Sequence, residues 1–180
     1  MELQFLGTGA GDFKALEDTC NKSPYLVAAR ATGGRNQRHA ASALIIPNIL
    51  IDCNNTDRLR HFRGSVNEIE HLFITHGHWD HFMPLAVLKL ANSLTEPLKV
   101  YGSDTIGSAL NFAAEHIWDP EGMKFRSQDN SANITFSRLD HGYTFQAGNA
   151  RVTTVRANHM IDKMALTSEQ PAFNFIIEVD

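Results

Sequence analysis

"FITHGHWDHF", residues 73–82, places three histidines and an aspartate between His76 and His81, directly behind the apolar run of "EHLFIT" (70–75). A short apolar run of that length reads as a strand. "DHFMPLAVLKLANS", from Asp80 on, carries apolar residues at helical spacing, with Pro84 tolerable only in a first turn. The cluster therefore lies where a strand hands over to a helix. His76 and His78 are two apart, so on extended backbone their side chains point to one side. Asp80 and His81 follow as the chain turns, and fan towards a second point. Imidazole and carboxylate together suit zinc, manganese or iron, so one short loop offers two ligands to one metal and two to a neighbour. Water bridging such a pair becomes a nucleophile at neutral pH.

Around this loop the sequence alternates strands and helices. "LQFLG" (3–7) reads as a short buried strand, and 12–41 as a long polar excursion. "SALIIP" (42–47) and "ILIDC" (49–53) form a hairpin about a Pro47-Asn48 turn, and "TDRLRHFRG" (56–64) a short helix. "LKVYG" (98–102) is a strand and 103–117 a helix capped by Ser103 or Asp104; "NITFSRL" (133–139), "NARVTTVRA" (149–157) and "AFNFIIEV" (172–179) are strands. Strands that partly pair as hairpins and partly alternate with helices predict a layered α/β domain with a mixed sheet. No repeat or linker interrupts it, so residues 1–180 read as a single domain.

With 43% hydrophobic and 20% charged residues and a net charge of −4, the composition is that of a globular protein. The acidic balance argues against broad binding of nucleic acid or an anionic membrane. Arg30, Arg35 and Arg38 in "RATGGRNQRH" (30–39) are the one candidate basic strip, and read as a solvated loop. Two cysteines, Cys20 and Cys53, make no disulfide framework, and no apolar stretch is long enough for a membrane span. A reducing cytoplasm is the expected compartment.

"THGHWDH", with "FLGTGAG" at the start and "ILIDC" after it, resembles the metallo-β-lactamase superfamily, in particular the branch of ribonuclease Z and cyclic-phosphate phosphodiesterases. The resemblance implies an αββα sandwich with helices flanking the sheets, and a hydrolase with one or two metals, zinc before manganese or iron. It implies that His76 and His78 bind a first metal with His159 from "VTTVRANH", and that Asp80 and His81 bind a second, Asp80 also holding or deprotonating the attacking water. Asp52 would orient a ligand histidine, or else be a hairpin-end aspartate satisfied by local backbone. The motif names no electrophile: a cyclic phosphate, nucleotide or RNA comes first, a lactone or thioester second, and a metal-binding module without turnover third. Charge does not point to RNA, and no membrane partner is implied.

The family pattern also requires a later strand ending in a metal-bridging aspartate, and a final histidine, neither of which is supplied before Asp180. The expectation is thus the N-terminal portion of the sandwich, either a fragment of a longer product or a chain completed by oligomerising, with an exposed apolar sheet face. The cysteine-rich zinc site that some relatives carry is not expected, since the early excursion holds only Cys20. Among other residues, His141 reads as a turn histidine, and His39 and Ser42 as exposed polar positions near the pocket. His61, His71 and His116 read as surface or half-buried, Cys53 as a small buried residue, and Trp79 as packing the loop. Trp118 and Phe112, Phe125, Phe136, Phe173 and Phe175 read as core.

Overall fold

The computed structural model describes residues 2–8, 24–33, 40–56, 59, 64–127, 132–157 and 172–179. Strand β1 (Glu2–Gly7) pairs antiparallel with β2 (Ser42–Ile46), and β2 with β3 (Ile49–Ile51) across the Pro47-Asn48 turn. From there the sheet becomes parallel: β4 (His71–Phe73), β5 (Leu98–Gly102) and β8 (Ile134–Arg138) follow in order, giving six strands. Helices α2 (Pro84–Ser93) and α3 (Asp104–Glu115) make the crossovers that parallel pairing demands. A second sheet is antiparallel, with β10 (Ala150–Ala157) between β9 (Thr144–Ala147) and β11 (Ala172–Val179).

Period-two alternation in the central strands divides the core into two layers. Leu72 and Val100 face Val87, Leu90, Ile106 and Leu110 of the two helices, whereas Phe73 and Tyr101 face Val152 and Phe173 of the second sheet. Stacked rings join the sheets: Phe145 lies 5.4 Å from Phe73 and 5.1 Å from Tyr101, centroid to centroid. The described residues thus stack as helix, sheet and sheet, the mixed α/β layering expected. Among them no helix is long and apolar enough to cross a membrane.

Several details differ from expectation. β1 is an edge strand, and Leu3 and Phe5 are 50% and 66% exposed, so "LQFLG" is not buried. Within 12–41 the chain forms helix α1 (Pro24–Thr32), which begins on a proline and is followed by Gly33 at φ +63. Helix α2 begins at Pro84 and not at Asp80, because the fixed φ of proline suits the first turn while residues 74–83 are taken up by bonds to Tyr101 and Cys53 and by a turn closed on the His78 carbonyl. Helix α3 stops at Glu115, and a hairpin follows, β6 (His116–Asp119) with β7 (Lys124–Ser127). Ser103 occupies the N-cap position without a side-chain bond. Phe112 and Phe125 are exposed, meeting edge-to-face beside that hairpin, so they are not core. The 56–64 helix lies mostly outside the described residues, as does Asp180; the Trp118 side chain is not described.

His71 is also not a surface residue. It shares a face with Phe73, is buried, and its Nδ1 lies 3.0 Å from the Tyr101 hydroxyl. Burial depresses its pKa, the nearby charge of Lys99 adds to this, and Glu70 opposes it. The unfolded chain therefore takes up a proton near pH 6.5 that the folded protein refuses. The stability given by the neutral ring is fully present above that pH and is lost as pH falls through it towards the lower folded value. Urea midpoints measured from pH 7 to pH 5 should fall further for the wild type than for His71→Phe; equal falls would contradict this.

Candidate metal centre

The site is built where two parallel strands end side by side. β3 ends at Ile51 and the next residue, Asp52, adopts φ +58, a left-handed conformation that aspartate tolerates better than most residues. Its N–H donates to the Phe73 carbonyl (2.8 Å), and its carbonyl accepts from the Ser42 hydroxyl (2.8 Å). This held backbone aims a buried carboxylate across at the end of β4. There Asp52 Oδ1 accepts the Thr75 N–H at 2.7 Å, the Thr75 hydroxyl lies 2.9 and 3.0 Å from its two oxygens, and His81 Nδ1 lies 2.6 Å from Oδ2.

These contacts fix which ring nitrogen of each histidine carries the proton. A backbone N–H can only donate, and the carboxylate is the stronger acceptor for the Thr75 hydroxyl proton. His76 Nδ1, 3.0 Å from that hydroxyl, is then the donor to its oxygen. Both His76 and His81 thereby carry a proton on Nδ1 and a lone pair on Nε2. Burial lowers the His81 pKa, but the bond and charge of Asp52, with the charge of Asp80, outweigh it and the pKa is raised. Burial likewise raises the Asp52 carboxyl, against the lowering effect of its hydrogen bonds to His81 and Thr75 and of the His81 charge.

The rest of the loop is zipped onto residues 53 and 54. Cys53 N–H donates to the His81 carbonyl (2.9 Å), Met83 N–H to the Cys53 carbonyl (3.1 Å), and Asn54 Nδ2 to the Trp79 carbonyl (3.4 Å). The N–H groups of His81 and Phe82 both bond to the His78 carbonyl, closing a tight turn. This gathers the ring of His76 within 4.6 Å of His78 and 4.2 Å of His81, with His81 Nε2 3.5 Å from Asp80 Oδ2.

Of the residues expected at a metal site, the structure brings together His76, His78, Asp80, His81 and Asp52. Asp52 is satisfied by Thr75 and His81 from across the sheet, not by its own hairpin. His159 lies outside the described residues. The chain on either side of it is placed: Ala157 pairs with Ala172, and the N–H of Phe173 donates to the Thr75 carbonyl at 2.9 Å. Among the described residues no three His, Cys, Asp or Glu side chains already form a closed metal cage. The donor set, imidazole nitrogens and a carboxylate with oriented protons, is nonetheless the kind that zinc, manganese or iron takes.

Thr75, which bonds the Asp52 carboxylate and lies against His76, carries no mark in the sequence, and the Ser42 hydroxyl bonds the Asp52 carbonyl. His141 is exposed on its turn and His116 stacks on Phe112; His39, His61, Cys20, Arg35 and Arg38 lie outside the described residues, and the Arg30 side chain is not described. Trp79 is partly exposed on the loop.

No family model matches the chain. In sequence it is 29% identical to ribonuclease Z of Enterococcus faecalis over 162 residues, covering 80% of this chain but 46% of that protein. The chain therefore spans about half the length of the relatives it matches. In structure it is similar to human tRNase Z, short form, with TM-score 0.59 and 21% identity over 99% of this chain and 65% of that one. It is likewise similar to Zn2+-bound PqqB from Methylobacterium extorquens, with TM-score 0.66 and 17% identity over 99% and 62%. The fold is that of the metallo-β-lactamase superfamily. Among proteins of that fold, its sequence is similar to ribonuclease Z.

Cys53 lies against this site but is shut away from solvent; burial first, and the Asp52 charge second, push its thiol up to about 12. Iodoacetamide at pH 8 followed by peptide mapping should leave Cys53 unmodified in the native protein and alkylate it in denaturant. Alkylation at equal rates in both states would contradict the burial.

Proposed function

We propose that the protein is a metal-dependent hydrolase acting on phosphodiesters, with RNA as the substrate class. The observation that carries this is the bond from His81 Nδ1 to the Asp52 carboxylate, which leaves Nε2 directed away from the anchor as a metal ligand requires. Likeness in sequence to ribonuclease Z supports the phosphodiester over a lactone or thioester.

His76, His78 and His159 would hold one metal, and Asp80 and His81 a second. Zinc is the first choice, since the PqqB of the same fold is Zn2+-bound; manganese and iron suit the same donors. Once bound, such an ion supplies an acidified water and a positive charge opposite the phosphoryl oxygens. The protein's own groups do the rest. Asp52 and Thr75 hold the His81 and His76 rings with Nε2 outward, and the carboxylate of Asp80, held beside His81, orients the attacking water and accepts its proton. The free buried thiol of Cys53 suits a reducing compartment, and we place the protein in the cytoplasm.

Metal analysis and turnover of bis(p-nitrophenyl) phosphate test this together. The purified protein should retain one or two zinc ions and cleave the diester, EDTA should abolish turnover, and His76→Ala should lower it by more than about 100-fold. A protein without metal, or one that holds metal and cleaves nothing, would contradict the proposal; the second result would fit a binding module.

A further inference from the structure

A rigid turn stands at the edge of this site. The C-terminal ends of β4, β5 and β8 lie at one end of the parallel sheet, so the turn after β8 emerges at the same end as the histidine loop. That turn is rigid. Leu139 N–H bonds to the Gly102 carbonyl (2.8 Å), and the fully buried Thr154 hydroxyl accepts the Tyr143 N–H (3.0 Å) and donates to the Asp140 carbonyl. Gly142 supplies the positive φ of +77, and its N–H bonds to the Thr154 carbonyl at 2.9 Å.

Two side chains are presented there. His141 Nδ1 accepts the Arg156 N–H at 3.0 Å, so Nδ1 carries the lone pair and the ring proton sits on Nε2, the nitrogen turned away from the backbone. Arg156 shares a face with Ala150 and Val152, and stands opposite Phe173, all three buried between the sheets. Lying one pair from the end of β10, it is exposed, so its guanidinium leaves the sandwich at this rim. Phe173 in turn donates to Thr75, which puts Arg156 about two strand spacings, ~10 Å, from the first residue of the histidine loop. Asp140, the nearest acid on the turn, is engaged by Arg138, and among the described residues Arg156 forms no ion pair.

We infer that Arg156 and His141 form a phosphate-contacting rim, the guanidinium and Nε2–H donating to the non-bridging oxygens of a phosphodiester beside the histidine cluster. The inference rests on the phosphodiester reading above and names two positioning residues for it. Neither bonds the reacting water, so their loss should weaken binding of the anion and leave metal content and melting temperature unchanged.

The test compares binding of thymidylyl-(3′,5′)-thymidine with that of its uncharged methylphosphonate analogue, by calorimetry at one fixed salt concentration. The wild type should prefer the charged dinucleotide by about 10-fold or more. Arg156→Ala and His141→Ala should each reduce that preference several-fold, and Arg156→Lys should restore part of it. A wild type without the preference, or a preference that survives in both alanine variants, would overturn the rim. If the preference behaves as expected while bis(p-nitrophenyl) phosphate is not cleaved, the hydrolase reading fails and the rim stands. Cleavage without the preference has the opposite meaning.

Discussion

A single buried carboxylate organises the end of the sheet. Asp52 accepts from a backbone N–H, a hydroxyl and an imidazole, all of them on the chain that leaves the neighbouring parallel strand. Burying an unpaired carboxylate is so costly that its partners must be in place, and removing one member of such a buried pair costs about 3–5 kcal/mol. The same contacts that satisfy Asp52 set the proton on His81 Nδ1 and, through Thr75, on His76 Nδ1. Folding and the orientation of these two rings are therefore one event.

The parallel register makes this economical in chain length. β3 and β4 pair Ile51 with Phe73, so Asp52, the first residue after β3, and Thr75, the second after β4, arrive within hydrogen-bonding reach. The left-handed backbone at Asp52 is held by bonds on both its N–H and its carbonyl, and strain of this kind persists where surroundings fix it. The second sheet closes the arrangement through Phe173, whose N–H reaches the Thr75 carbonyl.

Much of this was legible in the residues. The spacing of His76, His78, Asp80 and His81 encodes a strand end followed by a turn, and the apolar runs of β2 to β5 have the lengths of strands. Asp52 could be singled out because it closes an apolar strand, but its partners could not, since Thr75 becomes one only through the register of a neighbouring strand. The burial of His71 was hidden for a related reason: β4 is covered on both faces, so alternation carries no inside–outside signal. Pro24 and Gly33 mark the ends of α1, but within a stretch that is polar on average they read equally as punctuation of a loop. Glu115-His116 carries no glycine or proline, so the switch from helix α3 to the β6–β7 hairpin left no local mark, and Phe112 and Phe125 were assigned to the core on hydrophobicity alone.

The central claim is that Asp52 dictates the tautomer of His81. Long-range 1H–15N correlation spectra of the metal-free protein report it directly. The expected result is a proton on His81 Nδ1, with a downfield resonance that disappears in Asp52→Ala. A His81 ring protonated on Nε2 alone, with a bare Nδ1, would contradict it.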